Sequence, residues 1–295
     1  MTVAEPRVRH HARFESLVRF DLVLTTRTGL HIGGGTSPFL AGSELPVLRG
    51  SDGRPLVPGS SLRGVLRSGV EAVVAAVGLD RRRPMVPEGK DAADPRFATR
   101  WNDMGIVPRL FGRIGQGKDD FAYASRVQIS DSTCRSEVAL EVRDGVGIGR
   151  ETRTAEAAGG AKFEVEVVPA GISFHGSVRL HDPDDFEVGL LAQALVMLDE
   201  GLLLLGGKSA RGLGWMSVAV GEVHRVSSAD LLAGTSAAST RRPGETVEPG
   251  PIDQRLGDFL QSLRHFAHDE SAPEAREPRF TGFDPVGRPA VREEG

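Results

Sequence analysis

The sequence predicts an α+β fold in which an antiparallel sheet carries two helices on one face. Two observations point to it. Residues 18–26, 172–180 and 214–220 alternate apolar and other side chains, with a short strand-like stretch at 125–131. Residues 59–77 and about 183–200 form longer apolar helices, placed after the first and third of these strands. The resulting order, β-α-β-β-α-β, is that of a ferredoxin-like core.

Each element has its own local reason. Val18, Phe20, Leu22 and Leu24 give the first strand a period of two. In the first helix Leu62, Val65, Leu66, Gly69, Val70, Val73, Val74 and Val77 lie on one stripe. Pro58 precedes it, Ser60 or Ser61 is the expected cap, and Gly78 the expected stop. For the second helix, Asp182 is the expected cap, Pro183 the first-turn residue and Gly201 the stop.

The core is expected to occupy residues 1–232 with two insertions. One, at 80–124, is rich in Pro, Gly and charge. The other, at 138–168, begins and ends strand-like around a Gly-rich centre and is expected to be a projecting β-hairpin. Residues 233–295 are expected to form a flexible linker, a short amphipathic helix at 252–268 and an extended tail.

Composition excludes several function classes. The net charge is −4 and only four of 36 basic residues are Lys, so a globally basic nucleic-acid binder is ruled out while a local basic groove is not. A single cysteine, Cys134, excludes a disulfide framework and a Cys-rich zinc site, and fits a cytoplasmic location. No apolar run approaches the ~20 residues of a membrane span. The thirteen Phe, two Trp and one Tyr argue against a sheet of stacking aromatics. RNA, if bound, would be held by its backbone.

Three Gly-rich segments stand out, at 28–35, 57–64 and 205–214. The first places His31 beside Gly33, Gly34 and Gly35. The second opens a helix, where free N–H groups, the hydroxyls of Ser60 and Ser61, and Arg63 and Arg67 suit a phosphate. An ordinary capped helix with solvated arginines fits that pattern too. The third joins Lys208, Arg211 and Gly212, with glycines that admit close approach to a phosphate chain. It superficially resembles the phosphate loop of nucleotide hydrolases. However, position 202 is Leu where that loop needs Gly, and the loop runs from helix to strand rather than strand to helix, so nucleotide hydrolysis is rejected.

Taken in order, GLHIGGG at 29–35, VPGSSLRGVLRS at 57–68 and GGKSARGLGW at 206–215 resemble the RAMP superfamily backbone subunits of type III CRISPR effector complexes. DGVGIGRETR at 144–153, followed by AKFEVEVVPAGISF at 161–174, is similar to the thumb-like hairpin of those subunits. The resemblance spans about residues 15–222. It implies a subunit that holds guide RNA in a filament with copies of itself or related RAMP subunits, beside other type III effector subunits and a target RNA, without a membrane. It assigns guide contacts to His31, Gly33–Gly35, Ser60, Ser61, Arg63, Lys208, Arg211 and Gly212, and the thumb base to Arg150 and Thr152.

Catalytic members of this family cut target RNA with an Asp and a divalent metal such as Mg²⁺. The matching tract here, 43–47, carries Glu44 instead. The extra methylene moves the charge by about 1 Å, a misplacement that can cost about 100-fold. Glu44 is therefore the candidate catalytic and metal residue, and guide binding does not depend on it. Two alternatives remain open at this point. One is a stand-alone endonuclease that processes precursor guide RNA with His31 as base. The other is a catalytically silent assembly subunit.

Overall fold

The computed structural model describes residues 14–35, 45–79, 105–113, 123–146, 162–234 and 248–268. Its main sheet is six-stranded and antiparallel. β1 (Ser16–Thr26) lies at its centre, between β7 (Ser173–His181) and β8 (Met216–Ser227). Beyond β7 come the short strands β3 (Val127–Ile129) and β4 (Ser132–Cys134), and β4 pairs with β2 (Leu56–Val57). With β3 and β4 taken together as the second core strand, the order is fourth, first, third, second. This is the arrangement expected of a ferredoxin-like core.

The alternation in β1 is realised as a buried row of Val18, Phe20, Leu22, Leu24 and Thr26. Helix α1 (Gly59–Val77) buries Leu62, Leu66, Gly69, Val70 and Val74, and Gly78 ends it at φ 64°. Each fully buried Leu contributes roughly 1.5–3 kcal/mol relative to exposure. Within the first insertion, α2 (Ile106–Phe111) buries Leu110 and Phe111. Helix α3 (Asp185–Asp199) is apolar around most of its circumference, burying Val188, Leu190, Leu191, Ala194, Leu195 and Leu198. One side meets α1 and the sheet. The other is covered by α5 (Ile252–His268), which follows the one-turn α4 (Ser228–Leu232). The α3–α5 contact is close: a Cβ at Gly189 would lie 2.3 Å from the Phe259 carbonyl oxygen, and the Phe186 and Phe266 rings stack at 3.9 Å.

Three local expectations are corrected. Ser60 and Ser61 do not cap α1 but lie inside it. Pro58 is the N-cap, with no side-chain hydroxyl to offer, and the Asp131 carboxylate accepts the Gly59 N–H at 2.8 Å. Asp182 does not cap α3. It sits at φ 46° and its carboxylate accepts the N–H groups of Glu15 and Ser16, while Asp184 and Glu187 form the capping box. The strand expected at 125–131 is realised as β3 at Val127–Ile129, and β4 follows beyond it: Ser130 N–H still meets the Ser177 carbonyl of β7, but the register then shifts by one residue at Asp131, whose side chain serves α1.

The second insertion forms an antiparallel pair, β5 (Glu141–Val146) and β6 (Lys162–Val167). Arg150 and Thr152 lie outside the described residues. No helix among the described residues is long and apolar enough to cross a membrane.

Candidate nucleic-acid interface

The first and third Gly-rich segments are in direct contact. Gly207 donates its N–H to the His31 carbonyl at 2.8 Å, and Gly214 donates to the Gly29 carbonyl at 2.8 Å. The glycines make this approach feasible. A Cβ at Gly206, whose φ is 84°, would lie 2.4 Å from the His31 carbonyl oxygen. Gly33, Gly34 and Gly35 on one loop, and Gly206, Gly207 and Gly212 on the other, are exposed. The surface is therefore bare backbone, which a sugar–phosphate strand can approach closely.

The charge at this surface comes from Lys208 and Arg211. Lys208 precedes a short 3₁₀ turn at Ser209–Arg211, and Arg211 ends it. Lys208 sits at φ 60°, a left-handed conformation that disfavours a side chain. Their Nζ and Cζ atoms stand 5.2 Å and 4.8 Å from the centroid of the Phe163 ring on β6. Other arginines, such as Arg27, Arg49, Arg67 and Arg225, face carboxylates. Among the described residues, Lys208 and Arg211 pair with none. They are cations left for an external anion.

His31 is buried, with its ring beside Gly33 and Gly207. Its Nδ1–H donates to the Glu166 carbonyl at 2.8 Å, which leaves Nε2 as the nitrogen without a partner among the described residues. Glu166 organises the neighbouring chain as well. Its carboxylate accepts the Val47 N–H at 2.9 Å and pairs with Arg49 at 3.2 Å. On either side, Leu45 N–H meets the Glu164 carbonyl at 3.1 Å and Glu166 N–H meets the Leu45 carbonyl at 3.0 Å. The residues that follow Glu44 are thus laid along β6. Glu44 itself lies outside the described residues.

Sequence reasoning did not find Glu166. It sits in an alternating strand, where a polar residue is unremarkable, and its role arises from partners 117 to 135 positions away. Replacing Glu166 by Ala is expected to free the Val47 amide. Its hydrogen exchange should rise by roughly 10–100-fold, the equivalent of losing one charge-assisted hydrogen bond. Unchanged protection at Val47 would refute this role.

The second Gly-rich segment joins the other two at one remove. Ile32 O accepts the Leu48 N–H at 2.7 Å, and Leu48 O accepts the Leu56 N–H at 3.1 Å, one residue before Val57 and close to the α1 start. Two such steps span roughly 10 Å. The helix start is partly occupied by protein groups. Asp131 takes the Gly59 N–H and places a negative charge there. Arg63 donates to the Phe111 carbonyl, and Arg67 Nε pairs with Glu71 at 2.8 Å. Ser60 is exposed and Ser61 half-buried. Among the described residues no group of three or more His, Cys, Asp or Glu side chains gathers as a metal site.

The chain is thus of the ferredoxin-like class, with its first-strand loop and last Gly-rich loop meeting beside two basic residues that pair with no carboxylate among the described residues. The RAMP superfamily model matches residues 23–217, and the chain belongs to that superfamily. Within it, a stretch of 119 residues is 35% identical to the protein named CRISPR system Cms endoribonuclease Csm3 from Enterococcus italicus. That stretch covers 40% of this chain and 46% of the relative's length.

Proposed function

We propose that this chain is a guide-RNA-binding backbone subunit of a type III CRISPR effector complex. The observation that carries the reading is the junction of the two Gly-rich loops, where Lys208 and Arg211 pair with no carboxylate among the described residues and stand beside exposed glycine backbone. Such a surface grips phosphates through its cations and exposed backbone, so its binding is expected to be salt-sensitive and indifferent to sequence. The resemblance to a Csm3 protein over part of the chain supports placing it in a type III assembly. There it would lie against related RAMP subunits and other effector subunits along guide and target RNA. The helix start at Ser60 and Ser61 takes a secondary part, because Asp131 already occupies its first N–H.

The test is RNA binding by the purified chain at several salt concentrations. The double variant Lys208→Ala/Arg211→Ala is expected to bind single-stranded RNA about tenfold more weakly. Its log–log salt slope should flatten by about 1.4, at ~0.7 per lost phosphate contact on a single strand. The loss should be equal across unrelated sequences; a loss confined to one sequence contradicts backbone recognition.

Cleavage of target RNA is a separate question and rests on Glu44. A divalent ion held there would polarise the scissile phosphate. Among the described residues no three His, Cys, Asp or Glu side chains gather as a metal site, and the Glu166 carboxylate is engaged with Val47 and Arg49. In the assembled complex with Mg²⁺, cuts that vanish in Glu44→Ala would assign Glu44 as catalytic. An unchanged pattern would make the subunit a silent assembly member. The reading with His31 as a metal-free base draws no support from a ring buried against the loop backbone.

A further inference from the structure

We propose that Phe163 is the seat that holds Lys208 and Arg211 in place for an anionic strand, and that through it the hairpin β5–β6 sets the strength of that grip. This rests on the reading of the two loops as an RNA-binding surface. It adds a positioning residue outside both loops.

Two cations share one aromatic ring, at 5.2 Å and 4.8 Å from its centroid. Brought together, they repel each other, and among the described residues no carboxylate offsets the repulsion. The negative face of the ring supplies part of what a carboxylate would, without neutralising either charge. An anion arriving later therefore meets both cations already gathered, and less ordering is needed at the moment of binding.

The ring is itself held. Phe163 pairs across the hairpin with Gly145. A Cβ at Gly145 would fall 2.2 Å and 2.4 Å from the ring's Cζ and Cε2, so the ring lies over the glycine and fills the space a side chain would take. Below it, Val165 and Val167 of β6 pack with Leu213 of the basic loop, with Leu45 alongside. The same small apolar cluster thus joins the hairpin, the Lys208–Arg211 loop and the chain that follows Glu44. A shift of β6 moves the seat, and with it the cations.

The experiment uses the full chain and a fluorescein-labelled oligouridine, titrated at several salt concentrations. Phe163→Leu and Phe163→Met remove the ring but keep an apolar side chain, and Phe163→Trp keeps a ring. Both ring-less variants are expected to bind about fivefold more weakly, comparable to losing two exposed cation–π contacts. Their salt slope should match the parent chain, because no cation has been removed, and Phe163→Trp should restore affinity. A purely structural role would not separate Trp from Met. If the ring-less variants bind like the parent while Lys208→Ala/Arg211→Ala is weakened, the seat is refuted and the loop surface stands. If the double variant is also unaffected, the loop surface itself is refuted, and the seat with it. Two ring-less variants are included so that poor folding of one still leaves a reading from the other.

Discussion

Replacing Glu187 by Gln is expected to destabilise the fold by about 3–5 kcal/mol, because it strands a buried guanidinium. Arg126 and Glu187 are among the most buried charges in the protein, at 3% and 1% exposure. Burial opposes the Arg126 charge, yet the facing Glu187 carboxylate and its hydrogen bond hold the guanidinium pKa above its ordinary value. Arg126 also donates to the carbonyls of Arg109 at 3.1 Å and Asp182 at 2.9 Å. Glu187 accepts the Asp184 N–H at 2.9 Å, closing the first turn of α3. The pair therefore ties α2, the entry to β3, the turn at Asp182 and α3 into one unit. Urea unfolding and a melting curve measure the effect. A fall of roughly 10 °C is expected from the usual 2–4 °C per kcal/mol for chains of this size. An apolar double replacement should recover only part of it, since the Arg109 and Asp182 carbonyls would remain unserved. A midpoint unchanged in Glu187→Gln would refute the argument.

Gly206→Ala is expected to separate the two loops and to weaken RNA binding more than the loss of Lys208 and Arg211 combined. The added Cβ would fall 2.4 Å from the His31 carbonyl oxygen, which is backbone and has little freedom to move. The residue would also hold a φ of 84° that costs an L side chain about 1–2 kcal/mol. Overpacking adds ~1–3 kcal/mol. The least costly relaxation breaks the Gly207-to-His31 hydrogen bond, and the cations then no longer stand beside the exposed glycines. Two measurements check this: loss of hydrogen-exchange protection at the Gly207 amide, and a drop in RNA affinity well beyond tenfold with the fold otherwise intact. RNA affinity equal to the parent chain, with the Gly207 amide still protected, would contradict it.

The core was legible because its signals are local. The stripe of Leu62, Leu66, Val70 and Val74 predicts α1 over 59–77, and Gly78 predicts its end; both follow from side chains three or four positions apart. The caps were less legible. Ser60 and Asp182 have the right chemistry for capping, but Pro58 holds the α1 cap position with the Asp131 carboxylate accepting the Gly59 N–H, and Asp184 caps α3. A cap depends on which acceptor the tertiary fold delivers, and Asp131 comes from 72 positions away. α5 was readable as an amphipathic helix. That it covers the second apolar side of α3 was implicit only in α3 being apolar nearly all round.

In the candidate site the sequence determined the ingredients: the glycines at 33–35 and 206–214, His31, Lys208 and Arg211, and the order of elements that carries them. Glycine content and turn chemistry are written in consecutive residues, so they can be read without coordinates. Only the tertiary structure decided which of the predicted cations are free. Arg63 and Arg67, promising in sequence, are bound to Phe111 and Glu71, while Lys208 and Arg211 rest on the Phe163 ring with no carboxylate partner among the described residues. It also decided that Glu166, 135 positions from His31, holds the His31 imidazole and the chain after Glu44. Whether a charge is available to a ligand depends on its nearest neighbours in space. Those neighbours are set by strand pairing between distant segments, which no local period encodes.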